Sequence, residues 1–207
     1  MSRFHDEFFQ QKGTEHDDLI IRCVSEEIDN ISSSCIINYH AVLNVVNHMS
    51  HSGMSDRIDI VSQKAKGYET EAIVKGRNGF ILGYADLIIY LEFEIGLRTG
   101  HTLDDLKQKY GEYFYNSCIK ELSSPVFGFV VVEVKPKLDD VGAVIRQIKT
   151  YADSYHANSN REDPRFRGVY LPQPCVGKCI VTQSTTSEQV KKFLAHEEIG
   201  ILTLERV

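Results

Sequence analysis

An acid and a base, Glu133 and Lys135, leave a hydrophobic run side by side. The run is Phe127-Gly-Phe-Val-Val-Val-Glu-Val-Lys-Pro136, and its β-branched centre predicts a buried strand. Alternation along a strand places Glu133 and Lys135 on one face and Val132 and Val134 on the other. Pro136 lacks an amide hydrogen, so ladder pairing is expected to stop there. Burying two ionisable groups is costly unless they pair with each other or hold a metal. A third such group, Asp86, lies inside the apolar run Gly83-Tyr-Ala-Asp-Leu-Ile-Ile89, in a two-residue period with Tyr84, Ile88 and Tyr90. Two carboxylates are suited to a hard divalent cation such as Mg²⁺. A lysine beside them is a compact charge whose pKa shifts readily on burial, so it can orient or deprotonate a water. Gln147 and Tyr151 stand one turn apart on a predicted helix and share its face.

The elements that must position these groups follow from periodicity. Two amphipathic helices are predicted over 17–29 and 35–49, separated by the Ser-rich link Asn30–Ser34. Strands are predicted over 57–63 and 68–75, then over 80–93 after the Gly76-Arg-Asn-Gly79 turn, whose Asn-Gly pair favours a hairpin. Thr102-Leu-Asp-Asp105 resembles a capping box with Asp in place of Glu and opens a helix to about Leu122. After the strand ending at Lys135, a helix is predicted over 139–155, with Val141, Val144, Ile145, Ile148, Tyr151 and Ala152 as its buried stripe. Residues 157–174 read as a polar loop, 179–183 as a strand, 187–196 as a helix and 200–204 as a last strand. Strands alternate with helices after residue 125, which predicts an α/β sheet.

Three motifs in this order carry a resemblance: Gly83-Tyr-Ala-Asp86, Glu133-Val-Lys135 and Gln147-Ile-Lys-Thr-Tyr151. The set resembles the PD-(D/E)xK nuclease superfamily, and within it the RecB-like branch, over about residues 57–183. Each motif alone is weak; the three in order, on strand, strand and helix, are more specific. The resemblance implies a restriction-endonuclease-like core, a mixed central sheet flanked by helices, with a helical insertion at about 95–123. It implies one nuclease-like domain over 1–207, with 1–56 an acidic helical segment and 57–207 the catalytic core. Asp86 and Glu133 would then hold Mg²⁺ or Mn²⁺, together with the backbone carbonyl of Val134. Lys135 would be the catalytic lysine, and Gln147 and Tyr151 would position phosphate or that lysine. The expected reaction is DNA phosphodiester hydrolysis, in which the metal lowers the pKa of bound water and offsets developing charge. RecB-like nucleases often add an upstream histidine ligand, for which His48 and His51 are candidates by order alone. Other superfamily members draw an acid from the first helix, where Glu26 and Glu27 lie. Homodimers recur in this fold.

Bulk properties narrow the field. The 207 residues are 42% hydrophobic and 25% charged, ordinary for a globular chain. No apolar run approaches the ~20 residues of a membrane span, and Met1–Glu7 has no signal-peptide core, so an intracellular protein with no membrane contact is expected. Five cysteines, an odd number, point to reduced thiols. Cys175-x-x-x-Cys179 lacks the companions that an iron–sulfur cluster needs. The net charge of −6 lies within residues 1–60, which hold 4 Lys/Arg and 10 Asp/Glu. The remainder is neutral and leaves room for a local basic surface, to which Lys64, Lys66, Lys75, Arg77, Lys137, Arg146, Lys149, Arg161, Arg165 and Arg167 could contribute. The loop Asn158–Arg167 is the expected DNA-contacting segment. One rival stands beside the nuclease, a catalytically inactive relative that binds nucleic acid or a protein partner; an acidic interaction module formed by residues 1–60 could coexist with either.

Overall fold

The apolar run at Ala85–Phe93 becomes the backbone of a five-stranded sheet in the computed structural model of the chain. The structure describes residues 3–49, 58–98, 100, 102–122, 125–155 and 173–205. The strands are β1 (Ile58–Lys75), β2 (Ile81–Leu97), β3 (Val126–Lys135), β4 (Cys175–Thr182) and β5 (Gly200–Thr203), in spatial order β1-β2-β3-β4-β5. β1, β2 and β3 pair antiparallel, whereas β3, β4 and β5 are parallel. The helices are α1 (Arg3–Glu26), α2 (Ile28–Ser34), α3 (Tyr39–Met49), α4 (Leu103–Tyr110), α5 (Glu112–Leu122), α6 (Val141–Ser154) and α7 (Glu188–His196). The fold is thus α/β, a mixed sheet flanked by helices.

Two apolar layers sandwich the sheet. On one face, Leu19, Ile20 and Cys23 of α1, Ile31 of α2 and Val42 of α3 pack against Leu87, Ile89, Leu91, Val130, Val132 and Val134. On the other, Val144, Ile145, Ile148 and Tyr151 of α6 and Leu194 of α7 pack against Ile88, Phe129, Val131 and Ile180. The acidic helices are therefore half of the core rather than an appendage. Where strands are covered on both faces they read as continuous apolar runs, as β3 does.

Several elements differ from the sequence-based expectation. The two strands expected over 57–63 and 68–75 are one long strand, irregular between Ile60 and Ser62 and between Ala65 and Gly67. The link Asn30–Ser34 belongs to helix α2, where the Ser32 and Ser34 hydroxyls donate to the carbonyls of Ile28 and Asn30 and so satisfy themselves within the turn. The single helix expected over 102–122 is two, interrupted at Gly111, whose φ of 86° lies in the left-handed region. Thr102 caps the first of them: its hydroxyl oxygen accepts from the Asp105 amide at 3.1 Å.

Candidate active site

β2 and β3 part where the acids stand. Their last paired rung is Leu87 with Val132; continuing the register would set Asp86 opposite Glu133. Instead the Asp86 carboxylate fills the gap. The Val134 amide donates to Asp86 Oδ2 at 2.8 Å, a bond that a β2 carbonyl would otherwise take. A residue's N–H and C=O leave the same edge of an extended strand, so the Val134 carbonyl also faces this gap.

A change of phase in β2 puts Asp86 there. Ile88 and Tyr90 face α6, and so do Ala85 and Gly83, although simple alternation would turn the latter two the other way. The step occurs across Asp86. Strand β1 makes the same step: Thr70 pairs with Leu87 and Ala72 with Ala85, so Glu71 lies opposite Asp86, and Glu71 has a φ of 53°. Asp86 therefore does not share a face with Tyr84, Ile88 and Tyr90 as alternation predicts. Its carboxylate points along the ladder direction.

Lys135 and Glu133 complete the cluster. Lys135 Nζ donates to Asp86 Oδ2 at 3.3 Å and stands 2.8 Å from Glu133 Oε2. That second approach is an ion pair off the hydrogen-bonding direction, and both Glu133 oxygens are buried without a well-directed hydrogen bond. Glu133 is 0% exposed. Burial, and then the charge of Asp86, push its carboxyl up to about 7. Asp86 moves the other way: burial would raise it, but the His16 imidazole, the Lys135 ammonium and the Val134 amide together hold it below the usual carboxylate range. Burial lowers Lys135, yet the two carboxylates outweigh burial and keep it above its ordinary value. Unlike environments thus separate two neighbouring acids, one held ionised and one protonated near neutrality.

His16, which sequence reasoning missed, comes from α1. Its Nε2 is 3.4 Å from Asp86 Oδ1 and its Nδ1 is 3.6 Å from Asp17 Oδ1. Contact with Asp86 raises its pKa. His16 lies at helical spacing from Leu19, Ile20 and Cys23, which face the core, so the signal was present one residue before the expected helix start. Of the expected histidines, His51 and the side chain of His48 lie outside the described residues. Glu27 is engaged elsewhere, by Arg22 at 3.5 Å and Asn30 at 2.7 Å.

Gln147 and Tyr151 meet on α6, where Gln147 Nε2 donates to the Tyr151 hydroxyl at 3.3 Å. Among the described residues no hydrogen bond joins either to Asp86, Glu133 or Lys135. Their link to the site is mechanical: a Cβ on Gly83 would stand 2.0 Å from the Tyr151 hydroxyl oxygen. Cys175 and Cys179 face opposite sides of the sheet, Cys179 toward α1–α3 and Cys175 toward α6, so they cannot share one cluster. The expected DNA loop, with Arg161, Arg165 and Arg167, lies outside the described residues.

The arrangement suits a divalent cation by the chemistry of its donors. Among the described residues no three His, Cys, Asp or Glu side chains form a closed metal cage, but Mg²⁺ needs only one or two carboxylates and keeps several waters. Glu133 offers two oxygens with no well-directed donor, a costly arrangement for a buried carboxylate. Asp86, Glu133 and the Val134 carbonyl are the oxygen donors at the gap, and the His16 imidazole would also accept Mn²⁺. No family model, no curated protein and no solved structure matches this chain.

Proposed function

We propose that this chain is a metal-dependent nuclease with a restriction-endonuclease-like core, hydrolysing DNA phosphodiester bonds at the gap between β2 and β3. The observation that carries the reading is the meeting of Asp86, Glu133 and Lys135 where two buried strands separate, with Glu133 wholly buried and lacking a directed hydrogen bond. The sheet order and the helical pair α4–α5 between β2 and β3 are compatible with that core and its insertion. Asp86, Glu133 and the Val134 carbonyl would hold Mg²⁺ or Mn²⁺. The bound ion would lower the pKa of a coordinated water and offset charge on the phosphate. Lys135, 24% exposed at the mouth of the gap, would orient that water or neutralise the phosphate oxygens. Tyr151, wedged against Gly83, would hold α6 against the strand that carries Asp86, and Gln147 would position phosphate.

The alternative, an inactive nuclease-fold protein that binds nucleic acid or a partner, draws on the Lys135 bridge. An ammonium between two acids is also what a structural ion pair looks like. The full burial of Glu133 with only an off-direction ion pair weighs against it, because replacing such a pair by apolar groups often costs nothing. Cleavage of linear, circular, single-stranded and branched DNA by purified protein with Mg²⁺ or Mn²⁺ tests the reading. Asp86→Ala and Lys135→Ala are expected to abolish cleavage. Equal residual cleavage by the wild type and both variants would overturn the assignment.

A further inference from the structure

The β1–β2 hairpin runs on past the rest of the sheet. β2 pairs with β3 only from Leu87 onward, whereas its pairing with β1 continues to Ile81. The projecting arm is unlike on its two faces. Ala72, Val74 and Ala85 are buried on the α6 side, which fixes the arm in place. Its opposite face and tip expose Ile73, Leu82 and Tyr84, at 47–49% each, and Phe80 at 72%. Ile73 and Tyr84 are directly paired across the strands. Lys75 and the turn residue Arg77 are exposed, and neither has an acidic partner among the described residues.

The arm begins at the catalytic gap. At ~3.3 Å per residue, Tyr84 stands about 7 Å and Phe80 about 20 Å along the strand from Asp86. We infer that this arm is a stacking platform for single-stranded DNA, with the Tyr84 and Phe80 rings taking unpaired bases and Lys75 and Arg77 taking phosphates. The inference rests on the nuclease reading for its choice of nucleic acid as the occupant. Three features select a single strand over a duplex. Aromatic rings stack only on bases that are free to leave their partners. Duplex binding draws its affinity from many phosphate contacts, and the arm offers two cations, with Glu71 at its base. The arm is also narrow and apolar, which suits a base face and not a charged backbone.

The test measures fluorescence anisotropy of a short fluorescein-labelled oligothymidylate and of a labelled duplex, in excess chelator so that binding is read without cleavage. The wild type is expected to bind the single strand at least tenfold more tightly than the duplex. Phe80→Ala with Tyr84→Ala is expected to lose about tenfold or more in affinity. The ring-keeping pair Phe80→Tyr with Tyr84→Phe should bind as the wild type does, which separates stacking from misfolding. Equal binding by the alanine and wild-type proteins, preference for the duplex, or no binding by the wild type would each overturn the inference. So would a wild-type dimer in sedimentation that the alanine pair makes monomeric, since the face would then be covered by a second copy. Cleavage assayed in parallel with Mg²⁺ keeps the two readings apart. Cleavage with arm-independent binding sinks the platform and leaves the nuclease; arm-dependent binding without cleavage by any form sinks the nuclease and leaves the platform.

Discussion

Replacing Glu133 by Gln should stabilise the metal-free protein at about pH 8 and remove most of the pH dependence of its stability above about pH 5. Proton linkage sets the sign. Burial and Asp86 raise the Glu133 carboxyl from 4.5 to about 7 in the folded chain. Between those values the folded state holds a proton that the unfolded state has released, so stability falls as pH rises. Above about 7 the whole cost is present, on the order of 3 kcal/mol. His16 acts in the same direction, because its pKa is also raised. Its contribution is complete below 6.5 and is lost as pH climbs through the folded value. Asp86 acts oppositely, losing its contribution only as pH falls through its depressed value, below 3.8. Gln is the neutral isostere of the protonated acid, so it avoids the Glu133 cost. The value of about 7 already includes the Lys135 attraction, so the expected gain at about pH 8 is the whole cost, on the order of 3 kcal/mol. Urea unfolding in chelator, at about pH 5 and about pH 8, reads the difference as a shift in midpoint at constant slope. A midpoint for Glu133→Gln at or below that of the wild type at the higher pH would refute the reasoning. Repeating the titration with Mg²⁺ should raise the wild-type midpoint by mass action and leave that of the variant nearly unmoved.

Gly83→Ala should destabilise the fold by about 1–3 kcal/mol, since its Cβ would overlap the Tyr151 hydroxyl; in a Tyr151→Leu background the same change should cost much less, which a thermal-unfolding double-mutant cycle would show. Gly200→Ala should be at least as costly, because its Cβ would lie 2.1 Å from the Ser34 carbonyl oxygen at the end of α2, backbone that cannot swing aside, and a denaturation midpoint equal to that of the wild type would contradict the packing. The His16 imidazole should titrate above 6.5 by NMR, and Asp86→Asn should bring it down, since Asp86 is the main source of its shift; a titration unmoved by Asp86→Asn would remove His16 from the site.

What could be read in the sequence was whatever depends on one element alone. The α6 stripe of Val144, Ile145, Ile148 and Tyr151 is buried as its 3.6-residue period requires, and the hairpin turns at Gly76–Gly79 as expected, although of the Asn-Gly pair only Gly79, at a φ of 81°, takes a positive φ. Features that depend on two elements were not legible. The phase step at Asp86 needs Glu71 of the neighbouring strand to accept a left-handed backbone, and nothing in the period of β2 announces it. The run of serines in α2 looked like a link because serine competes for backbone hydrogen bonds, yet here the hydroxyls donate within the helix. His16 lies within reach of periodicity, at the spacing of Leu19, Ile20 and Cys23, but acidic residues surround it and no apolar neighbour precedes it closely.

The phase step also explains why Gly83, Asp86 and Tyr151 belong together physically. With strict alternation, Gly83 and Ala85 would face α1–α3, and Asp86 would lie on the α6 face among Ile88 and Val131, its charge buried in an apolar layer. The step turns Gly83 and Ala85 toward α6 instead, which brings the Tyr151 ring onto a backbone that tolerates no side chain. That contact holds the turned segment down. Asp86, three residues on, is thereby left at the edge between the layers, where the Val134 amide, Lys135 and His16 reach it from β3 and α1. A helix residue with no hydrogen bond to the acids among the described residues thus packs on the segment that carries Asp86, and the two-layer core, rather than a loop, backs the candidate site.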